Sequence, residues 1–272
     1  MSLETELIML GTGNAVVTKC YNTCFAFKNN EEYTLIDAGG GNGILAQLEK
    51  AHIPLTHIHN LFITHAHTDH ILGAVWLVRA IGQSIQKGDY KGIFRIYAHD
   101  KAIEVLQWIC RMTLPKKVVS HIGQSILITE VRDGDCFEAD SMHFQCFDIL
   151  STKEKQFGFT ATLPDQTKIA CLGDEPYNPA NAQYVTNADW LLCEAFCLYA
   201  DRDRFKPYEK HHSTALDAGK LAQELNVQHL LLFHTEDKTI ETRKETYTAE
   251  ASVHFNKAIF VPDDLERIIL TK

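Results

Sequence analysis

Residues 65–70 run His-Ala-His-Thr-Asp-His and follow directly on the apolar segment Leu61-Phe62-Ile63-Thr64. Four side chains able to ligate a metal therefore stand in six positions at the mouth of a strand. Side chains two apart in extended backbone project to the same side, so His65 and His67 can share one metal. Asp69 and His70 come where the chain turns into a helix expected from residue 71, and they can face a second metal nearby. Imidazole and carboxylate together suit zinc, with manganese or iron as alternatives.

The surrounding pattern mixes strands and helices. Strands are expected over 6–10, 34–36, 61–64, 126–129, 143–150, 157–162, 169–172, 190–193 and 229–233, with short ones at 259–261 and 268–270. Helical spacing covers 42–50, 71–80, 102–110 and 215–225, the last preceded by Ser213-Thr214 as an N-cap. Strands and helices alternate in both halves around a central β-meander. That favours two sheets packed on each other with helices outside, rather than one parallel sheet. No repeat or Pro/Gly/Ser-rich linker interrupts the chain, so one domain over 1–272 is expected.

Thirty-five Asp and Glu face 26 Lys and Arg, a net charge of −9, which disfavours a generally basic nucleic-acid binder. The longest apolar stretch, 71–78, falls far short of the ~20 residues of a spanning helix. The acidic N-terminus lacks the basic start of a secretory signal. The expected compartment is the cytoplasm, with no membrane partner. Eight Cys without paired C-x2-C spacing are expected to be buried free thiols.

The segment H-x-H-x-D-H after an apolar strand resembles the metallo-β-lactamase fold superfamily, in which it holds a one- or two-metal hydrolytic site between two sheets. The resemblance implies an α/β (α+β) four-layer αββα sandwich. Asp37, in Leu35-Ile36-Asp37-Ala38-Gly39, corresponds to an Asp that orients the metal-binding loop without being a ligand. Asp174, after Leu172-Gly173, corresponds to a bridging carboxylate. His234, after Leu230-Leu231-Leu232-Phe233, corresponds to the final His. The implied metal ligands are His65, His67, Asp69, His70, Asp174 and His234, with Asp69 also a catalytic residue.

Within that superfamily, His212-Ser213-Thr214 ahead of the helix, and Gly11-Thr12-Gly13, resemble the ribonuclease Z branch. Asn22 and Glu194-Ala195-Phe196 do so less specifically. The resemblance implies that His212 assists phosphodiester cleavage, as proton donor or stabiliser of the phosphorane, with adjacent His211 as its rival. Two departures stand out. A third His expected for the first metal is missing from 147–155, where Leu150 or Ser151 falls near the expected spot. His143 and Asp148 are the alternatives. The first of two zinc sites would then keep His65, His67 and Asp174, and bind more weakly. The stretch between 159 and 174 is also too short for a tRNA-gripping arm, so large structured RNA is disfavoured.

The expected function is a metal-dependent hydrolase, a phosphodiesterase acting on a small phosphodiester or nucleotide through a metal-activated water. Thioester, lactone or ester hydrolysis on the same site, and a non-catalytic metal-binding scaffold, are the alternatives. A homodimer is the default oligomeric expectation.

Overall fold

The computed structural model describes residues 4–272, and its strands form two seven-stranded sheets. The first contains β1 (Thr5–Gly11), β2 (Cys24–Asn29), β3 (Glu32–Ile36), β4 (Ile58–Ile63), β5 (Phe94–Ala98) and β6 (Ile126–Glu130) side by side, with β14 (Arg267–Leu270) beyond β1. The second contains β7 (Cys136–Ala139), β8 (Met142–Asp148), β9 (Phe157–Thr162), β10 (Lys168–Cys171), β11 (Trp190–Glu194), β12 (His229–Phe233) and β13 (Ala258–Phe260) in spatial order.

Each sheet changes character halfway. The first is antiparallel from β14 to β3 and parallel from β3 to β6. The second is antiparallel from β7 to β10 and parallel from β10 to β13. Parallel neighbours need long crossovers. In the first sheet these are α1 (Gly43–Lys50), α2 (Thr68–Lys87) and α3 (Asp100–Thr113). The helices Ala215–Glu224 and Arg243–Ala251 serve the second.

Alternation sorts the apolar residues into three buried layers. Along β1, Leu7 and Met9 face the other sheet, while Ile8 and Leu10 face the helices. Both faces are covered, so the strand is apolar from Leu7 to Leu10. Between the sheets, Phe62 meets Phe159 with ring centroids 5.6 Å apart, and Phe25 meets Phe233 at 6.2 Å. Burying each such ring stabilises the fold by about 1.5–3 kcal/mol. Outside the first sheet, Ile71, Ala74 and Val78 of α2 pack on Leu61 and Ile63. Outside the second, Ala218, Ala222 and Tyr247 pack with Leu230 and Leu232. The result is the four-layer αββα sandwich.

Several local features differ from expectation. Helix α2 starts at Thr68, not 71, because His67 is its N-cap in extended backbone (φ −62°, ψ 148°). Asp69 and His70 therefore lie in its first turn, where an acidic side chain suits the helix dipole. Strand β2 escapes a motif search, but pairs with β3 through a tight turn in which Asn30 has φ 57°. The helix Arg243–Ala251 hides its buried face behind a polar residue. Arg243, Tyr247 and Ala251 recur every fourth position, and the Arg243 guanidinium donates to Thr12, Thr235, the Pro262 carbonyl and Asp263. Cys136 is exposed and Cys20 half-buried, whereas the other six free thiols are buried as expected. Among the described residues, no helix is long and apolar enough to cross a membrane.

Candidate metal centre

The carboxyl ends of the two parallel half-sheets meet at one rim, and the candidate residues gather there. Such strand ends are where α/β sheets bind ligands. Asp37 ends β3 with φ 54° and His234 ends β12 with φ 56°. Each leaves its strand in left-handed backbone, which turns its side chain away from the strand's alternation. Asp174 follows β10 through Gly173, at φ 75°, and a Cβ there would fall 2.6 Å from Gln156 Nε2. Only glycine suits that position. The loop holding Gly11-Thr12-Gly13 braces the far strand end, since Thr235 N donates to the Thr12 carbonyl at 3.0 Å.

Asp37 organises the first half of the site. Its carboxylate accepts from Thr64 N (2.8 Å), Thr64 Oγ1 (2.8 Å) and His70 Nδ1 (2.7 Å). A carboxylate here only accepts, so His70 carries its proton on Nδ1 and presents a lone pair on Nε2. The Thr64 hydroxyl spends its hydrogen on Asp37 and therefore accepts from His65 Nδ1 at 2.9 Å. That leaves His65 Nε2 as a lone pair, 2.8 Å from His67 Nδ1. One carboxylate thus fixes the tautomers of two imidazoles, the arrangement that metal-ligating histidines need.

Two sets of donors result, His65–His67–Asp174 and Asp69–His70–His234, the atoms of each set lying within 4.8 Å of one another. Asp174 Oδ2 stands between them, 3.7 Å from His65 Nε2, 3.6 Å from His70 Nε2 and 3.4 Å from His234 Nε2. Asp69 Oδ2 lies 3.4 Å from His70 Nε2 and 3.5 Å from His234 Nε2. His70 Nε2 and both ring nitrogens of His234 are buried without a hydrogen-bond partner. Buried polar atoms are rarely left so. Orphaned imidazole nitrogens facing carboxylates fit a divalent metal of the zinc type.

The electrostatics of His65 and Asp174 agree with that use. Burial pushes the His65 pKa well down against the pull of Asp174, keeping the ring neutral. Burial alone would raise Asp174, but His65, His70 and His234 hold it well below the ordinary carboxylate range. Neutral imidazole and ionised carboxylate are the forms that bind metal.

A third cluster, Glu194–His212–His234, adjoins these. His212 Nδ1 lies 2.8 Å from the Asp174 carbonyl and 3.1 Å from Glu194 Oε2. Both partners accept, so Nδ1 carries a hydrogen and Nε2 is the nitrogen left for chemistry. The ring stacks on Phe196 at 4.6 Å. Burial disfavours the imidazolium, but the Glu194 carboxylate and then Asp174 outweigh it and raise the His212 pKa. Ala15, His67, Asp69, Lys153, Asp174, His212 and His234 line a cavity of about 420 Å³. That volume lies within the ~300–1,000 Å³ of small-molecule sites.

Several sequence expectations are corrected. Leu150 is half exposed in left-handed backbone (φ 60°) and lines a neighbouring hollow, not this cavity. Ser151 Oγ donates to Glu175. His143 pairs with Glu138 on the outer hairpin, and Asp148 Oδ1 accepts from Leu150 N. None of these supplies a donor to the first cluster. From the β8–β9 connection the structure brings in two other residues, Lys153 and Gln156. Gln156 Nε2 donates to Asp174 Oδ1 and lies 3.2 Å from His65 Nδ1. His211, in left-handed backbone at φ 55°, lines the same neighbouring hollow as Leu150, whereas His212 enters the cavity. Glu194, visible in the sequence through the less specific resemblance of Glu194-Ala195-Phe196, ends the apolar strand Trp190–Glu194 and backs His212.

The family model described as anti-Pycsar protein Apyc1 matches residues 5–260. The ribonuclease Z of Bacteroides thetaiotaomicron is 23% identical over 277 residues, covering 84% of this chain and 84% of that protein. Among solved structures, the metallo-β-lactamase fold protein YhfI of Bacillus subtilis superposes with a TM-score of 0.79 at 18% identity, covering 97% of this chain and 99% of that one. A diphosphatase of the PhnP family superposes with a TM-score of 0.73 at 17% identity, covering 98% of each chain. The fold is that of the metallo-β-lactamases.

Proposed function

Since the chain belongs to the anti-Pycsar protein Apyc1 family, we propose that it is a metal-dependent hydrolase that cleaves a phosphodiester bond in a small, nucleotide-like substrate. The observation that carries this reading is the pairing of the two His/Asp donor sets with His212, backed by the Glu194 carboxylate, on the wall of one cavity. His65, His67 and Asp174 would hold one metal, and Asp69, His70 and His234 a second, with Asp174 shared. Zinc bound there, or manganese or iron in its place, would supply Lewis acidity that activates water near neutral pH and draws charge from the phosphoryl oxygens.

The chain's own residues supply the rest. Asp37 holds His65 and His70 in the required tautomers, and Gln156 ties up Asp174 Oδ1 so that Oδ2 faces both sets. Glu194 and the Asp174 carbonyl orient His212, whose Nε2–H would protonate the leaving oxygen. Thr68 and Asp69, the first residues of the 20-residue helix α2, line the cavity. The positive end of that helix therefore favours an anionic substrate. Relatives named ribonuclease and diphosphatase support chemistry at phosphorus. A small substrate is supported by the connection from β9 to β10, a tight turn closed by Leu163 N donating to the Thr167 carbonyl at 2.9 Å.

The test is hydrolysis of bis(p-nitrophenyl) phosphate by zinc- or manganese-loaded protein against metal-free protein. Metal-dependent turnover that collapses in His212→Ala supports the reading. Turnover of acyl esters alone, undiminished by that substitution, replaces it with carboxyl-ester chemistry.

A further inference from the structure

The cavity wall carries two carboxylates, Asp69 and Asp174, with Glu194 behind His212. Among its lining residues Lys153 is the sole Lys or Arg. It comes from the β8–β9 connection, the segment in which the resemblance implied a third His. The loop does not leave this side chain to wander. Leu150 N donates to Asp148 Oδ1 at 2.8 Å, and Ser151 Oγ accepts from Lys153 N (3.1 Å) and Glu154 N (3.2 Å). The same Ser151 hydroxyl donates to Glu175 Oε1 at 2.7 Å. Lys153 Nζ in turn donates to the Lys210 carbonyl at 2.9 Å and stands 3.6 Å from Glu175 Oε1. Its side chain is 26% exposed, against 7% for Glu175.

Glu175 directly follows the shared ligand Asp174, and Lys210 lies two residues before His212. The ammonium is thus tied by short links to the segments that carry Asp174 and His212. An ammonium has three N–H donors, and the Lys210 carbonyl takes one of them. A compact cation of this kind suits a phosphate oxygen. Without it, a phosphodiester anion approaching His212 would meet the acidic wall with no Lys or Arg beside it.

We propose that Lys153 binds a non-bridging oxygen of the scissile phosphodiester, with Glu175 and the Lys210 carbonyl as its positioning partners. The inference rests on the phosphodiesterase reading and deepens it. It also gives the departure at the expected third His a physical sense, because the segment contributes a cation for the substrate and a carboxamide for Asp174.

The experiment is steady-state kinetics of the zinc-loaded full chain and its Lys153→Met and Lys153→Arg variants, with bis(p-nitrophenyl) phosphate and the neutral ester p-nitrophenyl acetate. Zinc content and Tm are measured alongside. In Lys153→Met, kcat/KM for the phosphodiester should fall roughly 10- to 100-fold, as expected for loss of a charge-assisted hydrogen bond. That loss should exceed the loss on the acetate ester by about tenfold, and Lys153→Arg should recover most of it. Unchanged phosphodiester kinetics at intact zinc content and Tm would overturn the proposal. So would equal losses on both substrates, which would mark a general disturbance of the loop. Wild-type protein that hydrolyses the acetate but no phosphodiester would instead sink the functional reading, and the proposal with it.

Discussion

The two sheets furnish the rim of the cavity by different means. The first delivers its donors on one continuous stretch, 64–70, clamped by the single carboxylate of Asp37 through Thr64 and His70. The second delivers Asp174, Glu194 and His234 one at a time from the ends of β10, β11 and β12, and His212 from the turn ahead of a helix. Register does the organising there, since Leu192 pairs with both Cys171 and Leu231 and brings the three strand ends side by side. A fault in the clamped half should spread to several donors at once. A fault in the distributed half should stay with the residue changed, except at Asp174, which touches both halves.

The largest effect is expected there. Asp174→Ala should strip most of the bound zinc and reduce turnover well beyond the ~10–100-fold that outer-shell changes cost. Metal analysis after gel filtration checks this, and full zinc retention would break the view of Asp174 as the common point of the two halves. Next comes His212→Ala, which should lower kcat for a phosphodiester by about 10²–10⁴-fold with zinc content retained. Loss of zinc in that variant would contradict the local character of the distributed half.

Asp37→Asn tests the clamp. Zinc affinity, measured by chelator competition, should fall by ~10–100-fold although Asp37 is not itself among the donor sets. An affinity within twofold of wild type would show that the clamp is dispensable.

Glu194→Gln should act more subtly, through pH. Burial opposes protonation of His212, and the Glu194 carboxylate overcomes that and raises its pKa. The acid form is therefore present at low pH and is lost as pH rises through the raised value. Removing the carboxylate charge lowers that value, so the alkaline limb of kcat against pH should move to lower pH. A limb that does not move would assign the acid to another group. The smallest effect is expected of Leu150→His, which should leave zinc stoichiometry unchanged because residue 150 faces a separate hollow. A gain in zinc would return the third ligand to that position.

The same contrast explains what could be read in advance. The clamped half is a local object, so Asp37 at one strand end, and His65, His67, Asp69 and His70 between the next strand end and the first turn of α2, are all visible. Strands β9 and β12 are legible to the residue, because their apolar runs are bounded by clear breaks. Gln156 lies one position beyond 147–155, where a third His is expected, and a carboxamide has no metal-ligand signature. Only its isolated bridge with His65 brings it to the centre. The choice between His211 and His212 turns on one left-handed residue that sends two adjacent rings to different hollows. A helix whose first buried side chain is an arginine, at 243, carries no apolar stripe to find.

By itself the sequence determined the kinds of donor, their order along the chain and the mixed αββα architecture. Strand alternation, helix capping and the spacing of His65, His67 and Asp69 act over a few residues, where backbone geometry alone dictates which side chains share a face. Only the tertiary structure decided that Asp174 stands between two donor sets, that Glu194 backs His212 and that Lys153 faces the cavity. Those relations join residues from separate strand ends and loops. Their distances are set by how two twisted sheets stack on a shared aromatic core, and no local pattern encodes that.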